Sequence, residues 1–455
     1  MAELADAPDL GSGGRPCRFK SCCPQDIREL TPECGERLFF CTGNEENECH
    51  ACMGIHLTTA DQSEMRKAYF VSVLATRKME LFLQNEYDRI EKNYKNEGRV
   101  MEEKMEQQKR EKTKLLIFIG IAYGLTYLMG LFMWYGSRKG YDLSVFPTAQ
   151  MLYPAAGVIL GLLVTNKREK KLPVGFFVTV LVTTAILVIL ALVSVFAPVD
   201  DIELQGMTIA VYNLISQYIL IIGSVVALIL LAVAGKEKRA EAGLTRRNWK
   251  SAVLVVLVFV AIYFARTVVS VTASGVFEGV GLQYTGEWFA IFKDPMAWIS
   301  IISLPINYFL VFIAFFGEEY GWRYYLQSVM QKKFGLRGGV ILLGMAWGIW
   351  HLPIDLFYYT QTTGLQMIFA QQITCIFLAI FFGYAYMKTK NIWVPVCLHY
   401  LNNNLIPIIT ATFTADVLED QVVRWSDLPV SLLLNGLCFG FFLLAGEYRR
   451  KNIKE

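Results

Sequence analysis

The chain has 455 residues, of which 54% are apolar, 13% aromatic and only 18% charged, with a mean hydropathy of +0.38. Soluble chains carry about a quarter charged residues, and the apolar surplus here is bunched into long runs, so a water-soluble globular protein is excluded and a multispanning membrane protein is indicated. The net charge of +3 identifies no partner, and the absence of phosphate loops, dinucleotide fingerprints and nucleic-acid motifs sets nucleic acid aside.

Residues 1–60 form a cysteine-rich segment, with seven of the ten cysteines between Cys17 and Cys52. No apolar core lies near Met1, so no signal peptide is expected and the first hydrophobic run should act as an uncleaved anchor. Cys41-x7-Cys49-x2-Cys52-x3-His56, with Cys34 upstream, has zinc-ligand spacing. It loosely resembles a B-box zinc module. Cys34, Cys41, Cys49, Cys52 and His56 are therefore candidate zinc ligands in a module expected to bind a cytosolic partner. The alternative is a set of accessible thiols, redox-sensing or lipidated. A reducing compartment argues against disulfides. Residues 61–114 follow as a charged helical linker, without proline and with Glu86, Arg89, Glu91 and Lys92 at helix-supporting spacings. Its basic end at 109–114 suits an anionic inner leaflet.

An all-α bundle is expected from there on, with about ten spans near 115–136, 148–165, 174–197, 210–234, 252–272, 297–318, 339–353, 368–387, 391–412 and 428–446. These divide into N-terminal membrane helices (115–290) and a C-terminal membrane domain (291–455). Basic clusters at 109–114, 167–171, 236–250, 332–337, 388–390 and 449–451 alternate with Lys/Arg-poor loops. Both termini should therefore face the cytoplasm, and a prokaryotic plasma membrane is the expected location.

Three segments of the C-terminal domain carry polar groups where lipid should be. Ionisable side chains at membrane depth are costly and mark function by default. The motifs are Glu318-Glu319-Tyr-Gly-Trp-Arg323, Trp347-Gly-Ile-Trp-His351 and His399-Tyr-Leu-Asn-Asn403. Counted inward from the basic clusters at ~1.5 Å per residue, Glu318 and His351 lie ~20 Å deep and His399 ~14 Å. Comparable depth favours one shared site. Glu319 and Arg323 are i,i+4 and can pair, which leaves Glu318 as the freer base. Trp347 with His351, and His399 with Asn403, also share helix faces. A carboxylate in an apolar, partly wet cavity is suited to deprotonating water, with imidazole and amide groups stabilising an oxyanion. Asp355 and Arg266 read as outer-interface residues, and Pro353 as the point where its span ends or bends.

Glu-Glu-x3-Arg, aromatic-x3-His and His-x3-Asn, in this order on successive hydrophobic segments, resemble the CPBP intramembrane proteases. That family includes the CAAX prenyl endopeptidases and bacterial homologues, some linked to bacteriocin immunity. The resemblance covers about residues 300–410 and implies an intramembrane endopeptidase acting on a membrane-associated peptide, prenylated or bacteriocin-like. It further implies that Glu318 activates water, His351 assists, and His399 with Asn403 binds the oxyanion. Glu319 and Arg323 would be structural. Trp347 stands where the family usually has Phe, and the extra spans and cytosolic extension also depart from the pattern. The resemblance implies no catalytic metal; His351, His399 and Glu318 could alternatively form a His2Glu set, although the chain lacks His-Glu-x-x-His. Two other classes compete: a non-catalytic scaffold or receptor working through the cysteine-rich segment, and a transporter with broken helices. No second copy of the polar pattern supports the latter.

Overall fold

The computed structural model describes residues 37–42, 51–56, 62–166, 171–204, 207–413 and 415–449. The chain divides into two compact units, Met1–Lys104 and Met105–Glu455. In the first, β1 (Arg37–Thr42) pairs antiparallel with β2 (Ala51–His56), which sets Cys41 opposite Cys52 in the ladder. Cys34 and Cys49 lie outside the described residues, as do the side chains of Cys41, Cys52 and His56. Helix α1 (Gln62–Ile119) carries exposed pairs such as Lys95–Glu91 at 2.6 Å, spacings that support a solvated helix.

The second unit is helical apart from one short hairpin. A π-helical turn, Gly120–Leu125, leads into α2 (Thr126–Lys139), α3 (Val145–Gln150), α4 (Tyr153–Thr165) and α5 (Val174–Phe196). Strands β3 (Ile202–Leu204) and β4 (Met207–Ile209) then precede α6 (Val211–Val233), α7 (Lys236–Glu241), α8 (Trp249–Phe277) and α9 (Leu282–Phe289). Helix α10 (Pro295–Glu319) runs through a second π-helical turn, Tyr320–Leu326, into α11 (Gln327–Trp350). There follow α12 (Leu352–Phe357), α13 (Gly364–Thr389), α14 (Trp393–Asn404), α15 (Ile406–Ile409), α16 (Asp427–Cys438) and α17 (Gly446–Arg449).

Among the described residues, seven helical stretches are long and apolar enough to cross a membrane, fewer than the ten expected. The expected sixth and seventh spans merge into one stretch, Pro295–Phe357. It is broken at Gly335, whose φ of 76° and ψ of 167° interrupt the helix, a conformation glycine adopts at little steric cost. The ninth and tenth contract to the 12-residue helices α14 and α16, too short for a crossing of about 20 residues. Polar residues in 399–404 and a change to 3-10 geometry at Gly440–Leu444 end those helices early.

Two close approaches hold α10 in place. Gly317 lies against the Met151 carbonyl and Leu152, and Gly321 against Pro154. Four residues apart, they let the backbones touch where any larger side chain would separate them. A cluster of rings extends the contact: Phe316 stacks on Tyr320 at 4.8 Å and on Trp393 at 5.7 Å.

A methyl added at Gly317 or Gly321 must push the 151–154 backbone away. Gly317→Ala is expected to destabilise the protein by about 1–3 kcal/mol. Gly338→Ala, whose nearest new contact is Phe334 Cβ at 3.8 Å, should be neutral or slightly stabilising. Thermal unfolding in detergent checks the pair, and equal melting temperatures would contradict the close-packing account.

Candidate active site

Glu318 and Glu319 end α10, and the π-helical turn begins at the next residue. Both are buried: Glu318 is 2% exposed and Glu319 0%. Each carboxylate therefore needs partners. Glu319 Oε2 accepts from Arg323 Nε at 2.8 Å, and its Oε1 lies 2.9 Å from His399 Nδ1. Glu318 uses one oxygen only. Its Oε2 accepts from the indole of Trp347 at 2.7 Å and that of Trp322 at 3.3 Å. Among the described residues no donor is recorded on Glu318 Oε1, and Glu318 lines a cavity of about 540 Å³.

Trp347 is the hub. Besides its bond to Glu318, it carries the Arg323 guanidinium 4.7 Å above its ring, while Phe382 takes that guanidinium at 5.4 Å. Arg323 is wholly buried, and among the described residues its two Nη atoms have no hydrogen-bond partner. The aromatic faces supply the electrostatic contact that acceptors would otherwise give. The Trp347 ring also meets His399 edge-on at 5.5 Å and His351 at 6.0 Å. Both imidazoles thus flank the indole that holds Glu318.

The end of α11 is fastened with every carbonyl answered. Its last four C=O groups have no intrahelical partner in the ordinary way, and Pro353 brings no N–H to the turn. Trp347 O accepts from His351 Nδ1 at 2.9 Å, and Gly348 O from the His351 N–H at 3.0 Å. Ile349 O accepts from Tyr127 at 2.8 Å and Trp350 O from Gln150 at 3.1 Å. The helix stops at Trp350, where the proline was expected to end it. Because a carbonyl only accepts, His351 Nδ1 carries the proton and Nε2 is left free. By the same logic His399 Nδ1 donates to Glu319, which leaves its Nε2 free.

The cavity gathers Glu318, Trp347, His351, His399 and Asn403. Glu319 and Arg323 stand behind it. His399 and Asn403 share the cavity without bonding to each other: His399 is held by Glu319, and Asn403 Oδ1 accepts from Asn402 at 3.0 Å. Asp355 is 0% exposed, and neither carboxylate oxygen has a hydrogen-bond partner among the described residues. Arg266 is half-buried and lines the cavity. Asp355 lies in the short helix α12 and Arg266 in the interior of α8. Trp322, the second indole on Glu318, was also missed, although it lies four residues along the same helix face. The His2Glu set does not assemble. Among the described residues no three His, Cys, Asp or Glu groups are placed to share a metal.

Residues 300–405 match the family described as type II CAAX prenyl endopeptidase Rce1-like. That segment, under a quarter of the chain, contains all three motifs, and the match supports a membrane protease at family level. No curated protein and no solved structure matches the chain.

Removing Arg323 leaves Glu319 buried with only an imidazole. Arg323→Ala is therefore expected to destabilise by about 3–5 kcal/mol. Glu318→Gln, which keeps an acceptor for both indoles, should cost about 1 kcal/mol or less. Unfolding midpoints of the two variants in one detergent test the order; an Arg323→Ala midpoint equal to wild type would refute the buried pair.

Proposed function

We propose that the chain is an intramembrane endopeptidase that hydrolyses a peptide bond of a membrane-associated substrate, either a prenylated tail or a bacteriocin-like peptide. The observation that carries this reading is the division of labour within Glu318. Two indoles hold Oε2, while among the described residues no donor is recorded on Oε1, beside the cavity. A carboxylate so fixed can take a proton from a water without first breaking another bond.

Glu318 acts as general base. His351, with Nε2 free, assists in placing the water. The hydroxide attacks the scissile carbonyl carbon, and the developing oxyanion is met by His399 and Asn403. Glu319 accepts from His399 Nδ1 and so stabilises the doubly protonated ring, whose Nε2–H is the donor to the oxyanion. Donors fixed before the reaction stabilise the transition state without reorganising. Collapse of the tetrahedral intermediate expels the amine, which receives the proton held on Glu318.

Both termini are assigned to the cytoplasm on the distribution of Lys and Arg. The segment 1–60 enters this proposal as a recruiting module, with zinc held by ligands drawn from Cys34, Cys41, Cys49, Cys52 and His56. Metal analysis of the purified full chain should find zinc that falls on Cys41→Ser; equal zinc in both proteins removes that part.

The main test is a proteome-wide comparison of protein N-termini between cells carrying wild type and Glu318→Gln. Loss of a general base costs about 10²–10⁴-fold in rate, so specific N-termini should vanish in the variant while it still inserts and folds. Identical sets would refute the protease reading. Trp347→Phe keeps the ring and removes its N–H; because a hydrogen bond to a charged group is lost, turnover should fall about tenfold.

A further inference from the structure

Arg266 lines the same cavity as Glu318 without an ion pair among the described residues. It projects from α8, outside the segment that matches the endopeptidase family. One nitrogen, Nη1, donates to Asn435 Oδ1 at 2.9 Å. The guanidinium lies 4.9 Å over the Tyr263 ring and 5.8 Å from Phe439. Among the described residues it forms no ion pair, and it is the only Lys or Arg lining the cavity. An unpaired cation in a membrane bundle is costly. The aromatic faces orient it but leave most of its fork unused.

The surroundings indicate what the fork would meet. Tyr263 donates to the Asn402 carbonyl at 3.3 Å, and Asn402 donates to Asn403. This chain of contacts joins Arg266 to the side of the cavity assigned to the oxyanion. The lining also includes neutral amides, among them Asn307, Gln371 and Asn404, which match the donors and acceptors of peptide groups. A phosphate would draw several cations or a helix N-terminus, whereas one planar guanidinium matches one carboxylate. A cavity of about 540 Å³ suits a ligand as small as a short peptide end.

We propose that Arg266 binds the free C-terminal carboxylate of the substrate. This rests on the protease reading above and adds to it the residue that selects the substrate.

The test uses purified full-length protein in lipid nanodiscs and two prenylated peptides of one sequence, one ending in a free carboxylate and the other in an amide. Wild type should cleave the acid with kcat/KM about ten- to a hundredfold above the amide, the effect of one charge-assisted contact, carried mainly by KM. In Arg266→Gln the acid-to-amide ratio should fall to near one, and Arg266→Lys should restore part of it. Equal cleavage of both peptides by wild type, or an unchanged ratio in Arg266→Gln, overturns the assignment. A binding arm separates this claim from the protease reading. Fluorescent versions of both peptides are titrated onto Glu318→Gln, where preference for the acid is expected even if wild type cleaves neither. Equal binding of the two, or no binding of either, also overturns it.

Discussion

Two adjacent glutamates lie buried at the end of a membrane helix, and the neighbouring packing meets the demand they create. A lone carboxylate in apolar surroundings is too costly to keep charged. The two are therefore satisfied differently. Glu319 is closed off, with Arg323 on one oxygen and His399 on the other. Glu318 is half satisfied, with two indoles on one oxygen and a cavity beside it. A fully paired neighbour makes the partly paired one tolerable. Trp347 ties the arrangement together, since its N–H meets Glu318, its face carries Arg323 and its edge meets His399. A phenylalanine there could supply the face but not the donor.

That geometry depends on precise backbone placement. The π-helical turn at Tyr320–Leu326 follows directly on the glutamates, and such turns recur at functional sites because they re-aim side chains. Gly317 and Gly321 bring the turn against the backbone before α4. On the opposite wall, Tyr127 and Gln150 answer the carbonyls that Pro353 and the helix end leave open. The two walls are thus fixed by independent contacts, and the cavity lies between them.

Much of this was legible in sequence because helical spacing is a strong constraint. The Glu319–Arg323 pair and the shared face of Trp347 and His351 follow from i,i+4 geometry alone. Trp322 was equally legible, four residues from Glu318, and was passed over. The pairing of His399 with Glu319 joins residues 80 apart in the chain, and no local period encodes it. The burial of Asp355 and the place of Arg266 in the cavity lining are not legible either, because local sequence does not say which helices will pack around them. The early ends of α14 and α16 are hidden for a similar reason, because hydropathy sees an apolar run and not where its helix stops.

The central claim is that Glu318 and the flanking imidazoles address a single scissile bond. Cryo-electron microscopy of the Glu318→Gln protein with an uncleaved prenylated peptide tests it most directly. The account predicts the peptide within the cavity, with one carbonyl carbon facing residue 318 and its oxygen toward His399 and Asn403. A peptide bound elsewhere, or residue 318 turned to lipid, would contradict it.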